Sequence, residues 1–199
     1  MMMDHYPTTP PKRLCHVVIL DTSHLMKALK SPVVEGINNL IARLKLLEQG
    51  HAMHQEHSLS LYMYGGRSIR AAIDRKPVSD ANALTVGDYT PRGMASFYDA
   101  VGLSLCHAMV HAAELHGTAV FVYVVAAGDD HTSTTYHPRR LKRFVDDLHQ
   151  KGWRLMLLTS SRDLLDAGEA MGFDCTSLFS PNPDDIRVLF RHLLEVSGR

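Results

Sequence analysis

The chain has 199 residues, of which 45% are hydrophobic and 21% are charged, a composition that predicts a globular domain rather than a disordered chain. Its basic and acidic residues balance at 21 each, so no overall positive charge attracts nucleic acid or an anionic membrane surface. The longest apolar stretch, residues 119–127, is too short for a membrane-spanning helix, which needs roughly 20 residues. We therefore expect no nucleic-acid or membrane partner.

The amino-terminal segment predicts a tail in front of one folded unit. Residues 1–13 are polar and contain prolines, which favours a flexible tail, and residues 14–199 are expected to form a single domain. The tail lacks the apolar core of a signal peptide. Cys15, Cys106 and Cys175 lie far apart among apolar neighbours, a pattern typical of buried free thiols. Both features favour a reducing compartment, so we expect a cytoplasmic protein.

In the first half of the chain, apolar runs alternate with a helical pattern. Residues 14–21 form a near-continuous apolar run, which predicts a strand buried on both faces. A helix is expected from residue 31 to residue 50, where a glycine ends it. Residues 58–64 alternate as a strand does, and residues 68–73 are expected to pair with them as an antiparallel hairpin.

The second half of the chain repeats this alternation. The expected helices cover residues 95–116, 138–150, 163–171 and 183–196, and the expected strands cover residues 118–127, 153–159 and 175–179. This order predicts a three-layer, doubly wound α/β fold: a mostly parallel sheet with one antiparallel edge strand and helices on both faces. Binding sites in such folds lie beyond the carboxyl ends of the strands, here near Asp21, Ala127 and Thr159.

Four motifs occur in a fixed order. They are VVILDTS at residues 17–23, YTPRGMASFYDAVG at residues 89–102, VVAAGDDHTS at residues 124–133 and KGWRLMLL at residues 151–158. Together they resemble a von Willebrand factor type A (vWA) domain, and most of all the small intracellular vWA domains of bacteria and their phages. The resemblance covers residues 14–173.

The resemblance implies a metal-ion-dependent adhesion site at the carboxyl edge of the sheet. In this family an Asp, two Ser, a Thr and a second Asp hold a divalent cation, usually magnesium, and a partner's carboxylate completes the coordination. Asp21 and Ser23 match the first two ligands. Leu25, Ala95 and Ala127 stand at the other three positions and offer no side-chain oxygen. We therefore expect a degenerate site that holds no metal and a protein without a cofactor.

Neighbouring residues leave two metal alternatives open. Ser96, Asp129 or Asp130 could rebuild a magnesium site, since each lies close in sequence to a lost ligand. His24 and His131 could join these aspartates in a transition-metal site, because imidazole and carboxylate together suit zinc.

A second expectation concerns Asp21 itself. A partly buried carboxylate without a partner is costly, so we predict that a side-chain cation from Lys27, Arg92 or His24 replaces the metal. The expected binding crevice comprises Asp21, Ser23, His24, Leu25, Arg92, Ala95, Ala127, Asp129 and His131.

Two functions are compatible with these residues. The first is a non-catalytic module that binds another protein, or a second copy of itself, through the crevice. The second is a metal-dependent ribonuclease, because residues 20–29 and 98–105 also resemble motifs of PIN-type nucleases. In that case Asp21, Asp99 and either Asp129 or Asp130 would hold magnesium or manganese. The nuclease leaves the motifs PRGM and KGWRLMLL unexplained, so the interaction module is favoured and Asp99 is then expected to bond backbone groups.

Three histidines follow the first helix. His51, His54 and His57 are spaced by three residues, and the glycine before them favours a loop. We expect these side chains to be solvated.

Overall fold

Strands and helices alternate along the chain and follow the hydrophobic pattern. The computed structural model describes residues 13–50, 55–66, 68–113 and 118–196, with side chains up to residue 191. The strands are β1 (Arg13–Asp21), β2 (Glu56–Gly65), β3 (Ser68–Pro77), β4 (Thr118–Ala126), β5 (Arg154–Thr159) and β6 (Cys175–Leu178). The α-helices are α1 (Lys30–Gly50), α2 (Phe97–Ala113), α3 (Pro138–Gln150), α4 (Arg162–Met171) and α5 (Pro183–Val196). Short 3₁₀ helices cover His24–Leu29, Val78–Asp80 and Val86–Asp88.

The strands form one mostly parallel sheet in the order β3-β2-β1-β4-β5-β6. β1 pairs in parallel with β2 and β4, and the parallel ladder continues through β5 to β6. β3 is antiparallel to β2 at the edge, as predicted. The register places Asp21 beside Tyr64 and Ala126 beside Thr159. The central strands therefore end at one edge of the sheet.

Helices cover both faces of the sheet, which confirms the predicted three layers. Val18 and Leu20 of β1 face α1 and α5, whereas Val17 and Ile19 face α2, α3 and α4. A strand buried on both sides has no solvent face, which explains why β1 is almost entirely apolar. Each of these side chains contributes about 1.5–3 kcal/mol when fully buried.

Two glycines permit close packing of helices against aromatic rings. Gly36 of α1 lies against the ring of Phe190 on α5, and Gly102 of α2 lies against the ring of Tyr136. A Cβ atom at either position would overlap the ring. A larger residue would therefore move α1 away from α5, or α2 away from the loop after β4.

The prediction that His57 lies in a solvated loop is wrong. β2 begins at Glu56, so His57 is its second residue and is buried on the α1 side of the sheet. Its Nδ1 lies 3.0 Å from Nε2 of His16, which is also buried, and the two rings stack. The ring of His16 stacks on Phe121 as well. His51 and His54, grouped with His57 by their spacing, lie outside the described residues.

The three cysteines are free thiols, as predicted, but they differ in burial. Cys15 is buried in β1, and burial raises the pKa of its thiol. Cys106 is half-buried and Cys175 is exposed, so the prediction of buried thiols is wrong for Cys175. The reason is topological: β6 is an edge strand, a position that the local apolar pattern does not reveal.

The predicted amino-terminal tail lies outside the described residues except for Arg13, which begins β1. No helix in the described ranges is both long enough and apolar enough to cross a membrane.

Candidate functional site

Backbone hydrogen bonds join the loops at the carboxyl edge of the sheet. The loop after β1 is tied to the segment before α2 by two bonds. The N–H of Arg92 donates to the carbonyl of Thr22 at 2.6 Å, and the N–H of His24 donates to the carbonyl of Gly93 at 2.9 Å. The sheet edge and these two segments build the walls of the predicted crevice.

Asp21 is fully buried at the end of β1 and accepts three hydrogen bonds through its carboxylate. Oδ1 accepts from the N–H of Ser23 at 2.6 Å, and Oδ2 accepts from the Ser23 hydroxyl at 3.0 Å. Oδ2 also accepts from the N–H of Ala127, at 3.0 Å. In addition, the hydroxyl of Tyr89 donates to the backbone carbonyl of Asp21 at 2.5 Å. Asp21 thus connects the ends of β1 and β4.

The prediction that a side-chain cation contacts Asp21 is wrong. In the described part of the chain, Asp21 forms no ion pair. Lys27 and Arg92 are exposed, and Nδ1 of His24 lies 2.9 Å from the carbonyl oxygen of Gly93. Burial raises the pKa of Asp21, and the hydrogen bonds from its neighbours, together with the longer-range charge of His24, oppose that effect. Hydrogen-bond donors take the place that the prediction gave to a cation.

Of the three positions without ligand oxygens, Ala127 contacts this carboxylate and Leu25 lies over the loop after β4. The backbone N–H of Ala127 contacts Asp21, while the methyl groups of Ala95 and Ala127 are buried. Leu25 is 46% exposed, and its side chain lies so close to Gly128 that a Cβ there would overlap it. Hydrocarbon therefore covers part of the edge where the resemblance implies a cation.

The polar residues that could rebuild a metal site have other partners. The Ser96 hydroxyl donates to the carbonyl of Gly66 at 2.7 Å. Ser96 lies just before α2, which was expected to start at residue 95 and starts at Phe97. The hydroxyl of Ser161 donates to Asp129. Among the residues that the structure describes, no group of three His, Cys, Asp or Glu side chains is arranged to hold a metal ion.

Two further aspartates hold the start of α2 against the loop after β4. Asp130 accepts from the N–H of Tyr98 at 3.2 Å and from the hydroxyl of Ser133 at 2.5 Å. The carboxylate of Asp99 accepts from three successive backbone N–H groups, those of residues 134–136, at 2.6–2.9 Å. Burial alone would raise the pKa of Asp99, but these donors hold it below its usual value. Asp99 therefore bonds backbone, as the interaction-module hypothesis expects, and no described metal cluster joins it to Asp21.

A pocket of about 300 Å³ opens at this edge. Its lining residues are Leu25, Ala127, Gly128, Asp129, His131, Ser160, Ser161, Arg162 and Asp163. Sequence patterns indicated the first part of this set and named the strand end near Thr159, but they proposed none of Ser160 to Asp163, which follow β5, as site residues. The available signal was the carboxyl end of β5, since the loops after neighbouring parallel strands meet at one edge. Five residues that the sequence placed in the crevice lie outside the pocket lining: Asp21, Ser23, His24, Arg92 and Ala95.

The negative charges of three carboxylates act on the hydroxyl of Tyr98. Burial raises the pKa of this half-buried tyrosine, and the negative charges of Asp130, Asp129 and Asp163 raise it further. Two of these aspartates line the pocket. The field at this end of the crevice is therefore negative.

Two exposed apolar side chains lie on the loops at this edge. Leu25 and Met94 are 46% and 47% exposed, respectively. Their loops are in contact, because the N–H of His24 bonds the carbonyl of Gly93. Leu25 also lines the pocket, so an exposed apolar side chain adjoins its polar walls.

No model of a protein family matches the chain, and no curated protein matches it either.

Comparison of structures finds several proteins whose fold matches almost the whole of this chain. The PilB minor pilin from Streptococcus sanguinis matches with a TM-score of 0.65 at 10% identity, over 97% of this chain and 63% of the pilin. The SpRpn10 VWA domain matches with a TM-score of 0.56 at 10% identity, over 92% of this chain and 95% of that domain. Manganese-loaded TRAP protein from Plasmodium vivax matches with a TM-score of 0.58 at 13% identity, over 94% of this chain and 75% of the TRAP chain. The chain thus spans just under two thirds of the pilin, and at these identities the likeness establishes its fold, which is vWA-like.

Proposed function

We propose that this chain is a non-catalytic protein-interaction module that binds a partner protein through the crevice without a metal ion. The observation that carries the proposal is the hydrogen bonding of Asp21. Its carboxylate is fully buried and accepts from Ser23 and Ala127, so the two retained ligand residues are bonded to each other.

The donor set fits magnesium poorly. Magnesium needs about six oxygens in octahedral array at about 2.0–2.1 Å. At the positions that match the family motif, only Asp21 and Ser23 carry side-chain oxygens, and the side chain of Leu25 packs over Gly128. If each of three lost ligands costs about 1.4 kcal/mol, the affinity falls roughly a thousandfold.

The surface around the pocket supports a role in binding protein. Leu25 presents apolar area at a pocket with charged and hydroxyl-bearing walls. An apolar patch with a polar surround is the usual composition of a protein interface. Proteins of the same fold include a pilin and a vWA domain of Rpn10, which agrees with an interaction role. We further propose a cytoplasmic location, in keeping with the free thiols.

The metal part of this proposal is tested by calorimetry with magnesium and manganese, with thermal unfolding followed in parallel. We expect neither heat of binding nor a change in Tm at millimolar metal. A rise in Tm that disappears in Ser23→Ala would overturn the metal-free interaction.

The binding part is tested by selecting random peptides on the wild-type protein and on Leu25→Glu. Leu25 is half exposed, so the substitution is expected to leave the fold unchanged. We expect peptides that bind the wild type and fail to bind Leu25→Glu. Gel filtration with light scattering decides whether the partner is a second copy: a dimer that Leu25→Glu dissociates identifies self-association through the crevice.

A further inference from the structure

The pocket has an excess of negative charge. Asp129 and Asp163 line it, and Asp130 follows Asp129 in the same loop. All three carboxylates raise the pKa of the Tyr98 hydroxyl, so their charges act on one place. None of them forms an ion pair within the described ranges. Among the lining residues, only Arg162 carries a fixed positive charge.

The amino-terminal end of α4 also faces this pocket, and residues of this chain already offset its free N–H groups and its positive dipole. The hydroxyl of Ser161 accepts from the N–H of Leu164 at 3.1 Å and caps the helix. Asp163 lies in the first turn, where its negative charge offsets the positive end of the helix dipole. A carboxylate from a partner would therefore meet like charges in this pocket.

The apolar side chain of Leu25 adds a second requirement on the partner. Leu25 and Met94 lie exposed on loops that are bonded to each other, and Leu25 also lines the pocket. A lysine or arginine side chain matches both features, because its aliphatic stem packs on apolar surface while its charged head reaches the carboxylates.

We infer that the partner inserts a lysine or arginine side chain into this pocket, next to Leu25, with Asp129 and Asp163 as its counter-charges. The inference rests on the proposed function and specifies the chemistry of the partner. It is the reverse of the arrangement that the vWA resemblance implies, where a partner supplies a carboxylate to a metal ion.

The test uses the peptides selected on the wild-type protein that do not bind Leu25→Glu. We expect these peptides to be enriched in lysine and arginine. Their affinity should fall at least about tenfold for the double variant Asp129→Asn, Asp163→Asn, and should weaken as salt is added. The matched control is Asp146→Asn, Asp147→Asn, which removes two exposed carboxylates from α3 and should leave the affinity unchanged.

The outcomes separate the inference from the proposed function. Peptides that depend on Leu25 but are enriched in aspartate or glutamate overturn the inference and leave the crevice as a protein-binding site. The inference is also overturned, and the proposed function kept, if the Asp129→Asn, Asp163→Asn variant binds the selected peptides as tightly as the wild type does. If no selected peptide depends on Leu25, the proposed function fails as well.

Discussion

The carboxylate of Asp21 accepts a hydrogen bond from the backbone N–H of Ala127 at 3.0 Å, across 106 positions of sequence. The bond joins the end of β1 to the end of β4 at the edge where the crevice opens. The same carboxylate orients Ser23 through two further bonds. Asp21 therefore organises the loops that carry the proposed interaction surface.

The first prediction concerns the stability of this edge. Asp21 is fully buried. Asp21→Ala removes the acceptor for two backbone N–H groups, those of Ser23 and Ala127. Unsatisfied buried donors cost about 1–3 kcal/mol each, so we expect a loss of about 2–4 kcal/mol in the free energy of unfolding, measured by urea denaturation. Asp147→Asn, an exposed change on α3, is the control and should shift stability by less than about 0.5 kcal/mol. A stable Asp21→Ala variant would contradict the assigned role.

Asp21→Asn should destabilise as well. Oδ1 and Oδ2 each face a backbone N–H, from Ser23 and Ala127 respectively, whereas an amide offers only one acceptor oxygen. In either orientation, one N–H then faces the amide NH₂ group. We expect urea denaturation to show a loss between that of Asp21→Ala and zero. Wild-type stability in this variant would contradict the role of both Asp21 oxygens as acceptors for these N–H groups.

The second prediction is an acid sensitivity due to His16. Burial, followed by the charge of His57, lowers the pKa of His16 to about 3. The unfolded chain binds this proton at its usual pKa of about 6.5, so the stability contributed by neutral His16 is lost as the pH falls from there toward 3. Between about pH 6.5 and about pH 5 this amounts to about 2 kcal/mol.

His16→Phe removes this titration and keeps an aromatic ring beside Phe121. Urea denaturation at several pH values should show a shallower loss of stability for the variant than for the wild type, whatever their stabilities at neutral pH. Parallel pH profiles would show that His16 does not titrate differently in the two states.

The third prediction concerns the packing of α1 on α5. Gly36→Ala places a methyl group in the ring of Phe190, and overpacking of this kind costs about 1–3 kcal/mol. Gly50→Ala, at the end of the same helix, is the matched control because, in the described part of the chain, nothing beyond its chain neighbours and its own helix backbone lies within 4 Å of its Cβ position. Thermal unfolding should show a clearly lower Tm for Gly36→Ala than for Gly50→Ala. Equal Tm values would place Phe190 elsewhere.

The fourth prediction assigns Asp99 a structural role. Asp99→Ala removes the acceptor for the backbone N–H groups of residues 134–136 and should lower the free energy of unfolding by about 1–3 kcal/mol. The pKa of Asp99 is lowered in the folded state, so its contribution is present above the unfolded pKa and is lost as the pH falls through the folded pKa. Denaturation of wild type and variant at neutral and acidic pH measures both effects. Unchanged stability, together with manganese-dependent RNA cleavage by the wild type alone, would favour the nuclease instead.

The sequence by itself determined the fold class and most of the elements. The expected bounds of α3, residues 138–150, and of α5, residues 183–196, coincide with those in the structure. The antiparallel pairing of β3 with β2 was also predicted, although β3 continues to Pro77. Such features follow from hydrophobic periodicity and from glycine and proline, which act over a few residues.

Only the tertiary structure decided what surrounds the candidate site. The sequence placed Leu25, Asp129 and His131 at one crevice, and they do line one pocket. It could not show that Ala127 provides a donor to Asp21 where a cation was expected, or that Arg162 joins the pocket. These contacts join residues that are distant in sequence, and they depend on the register and order of the strands, which no local pattern encodes.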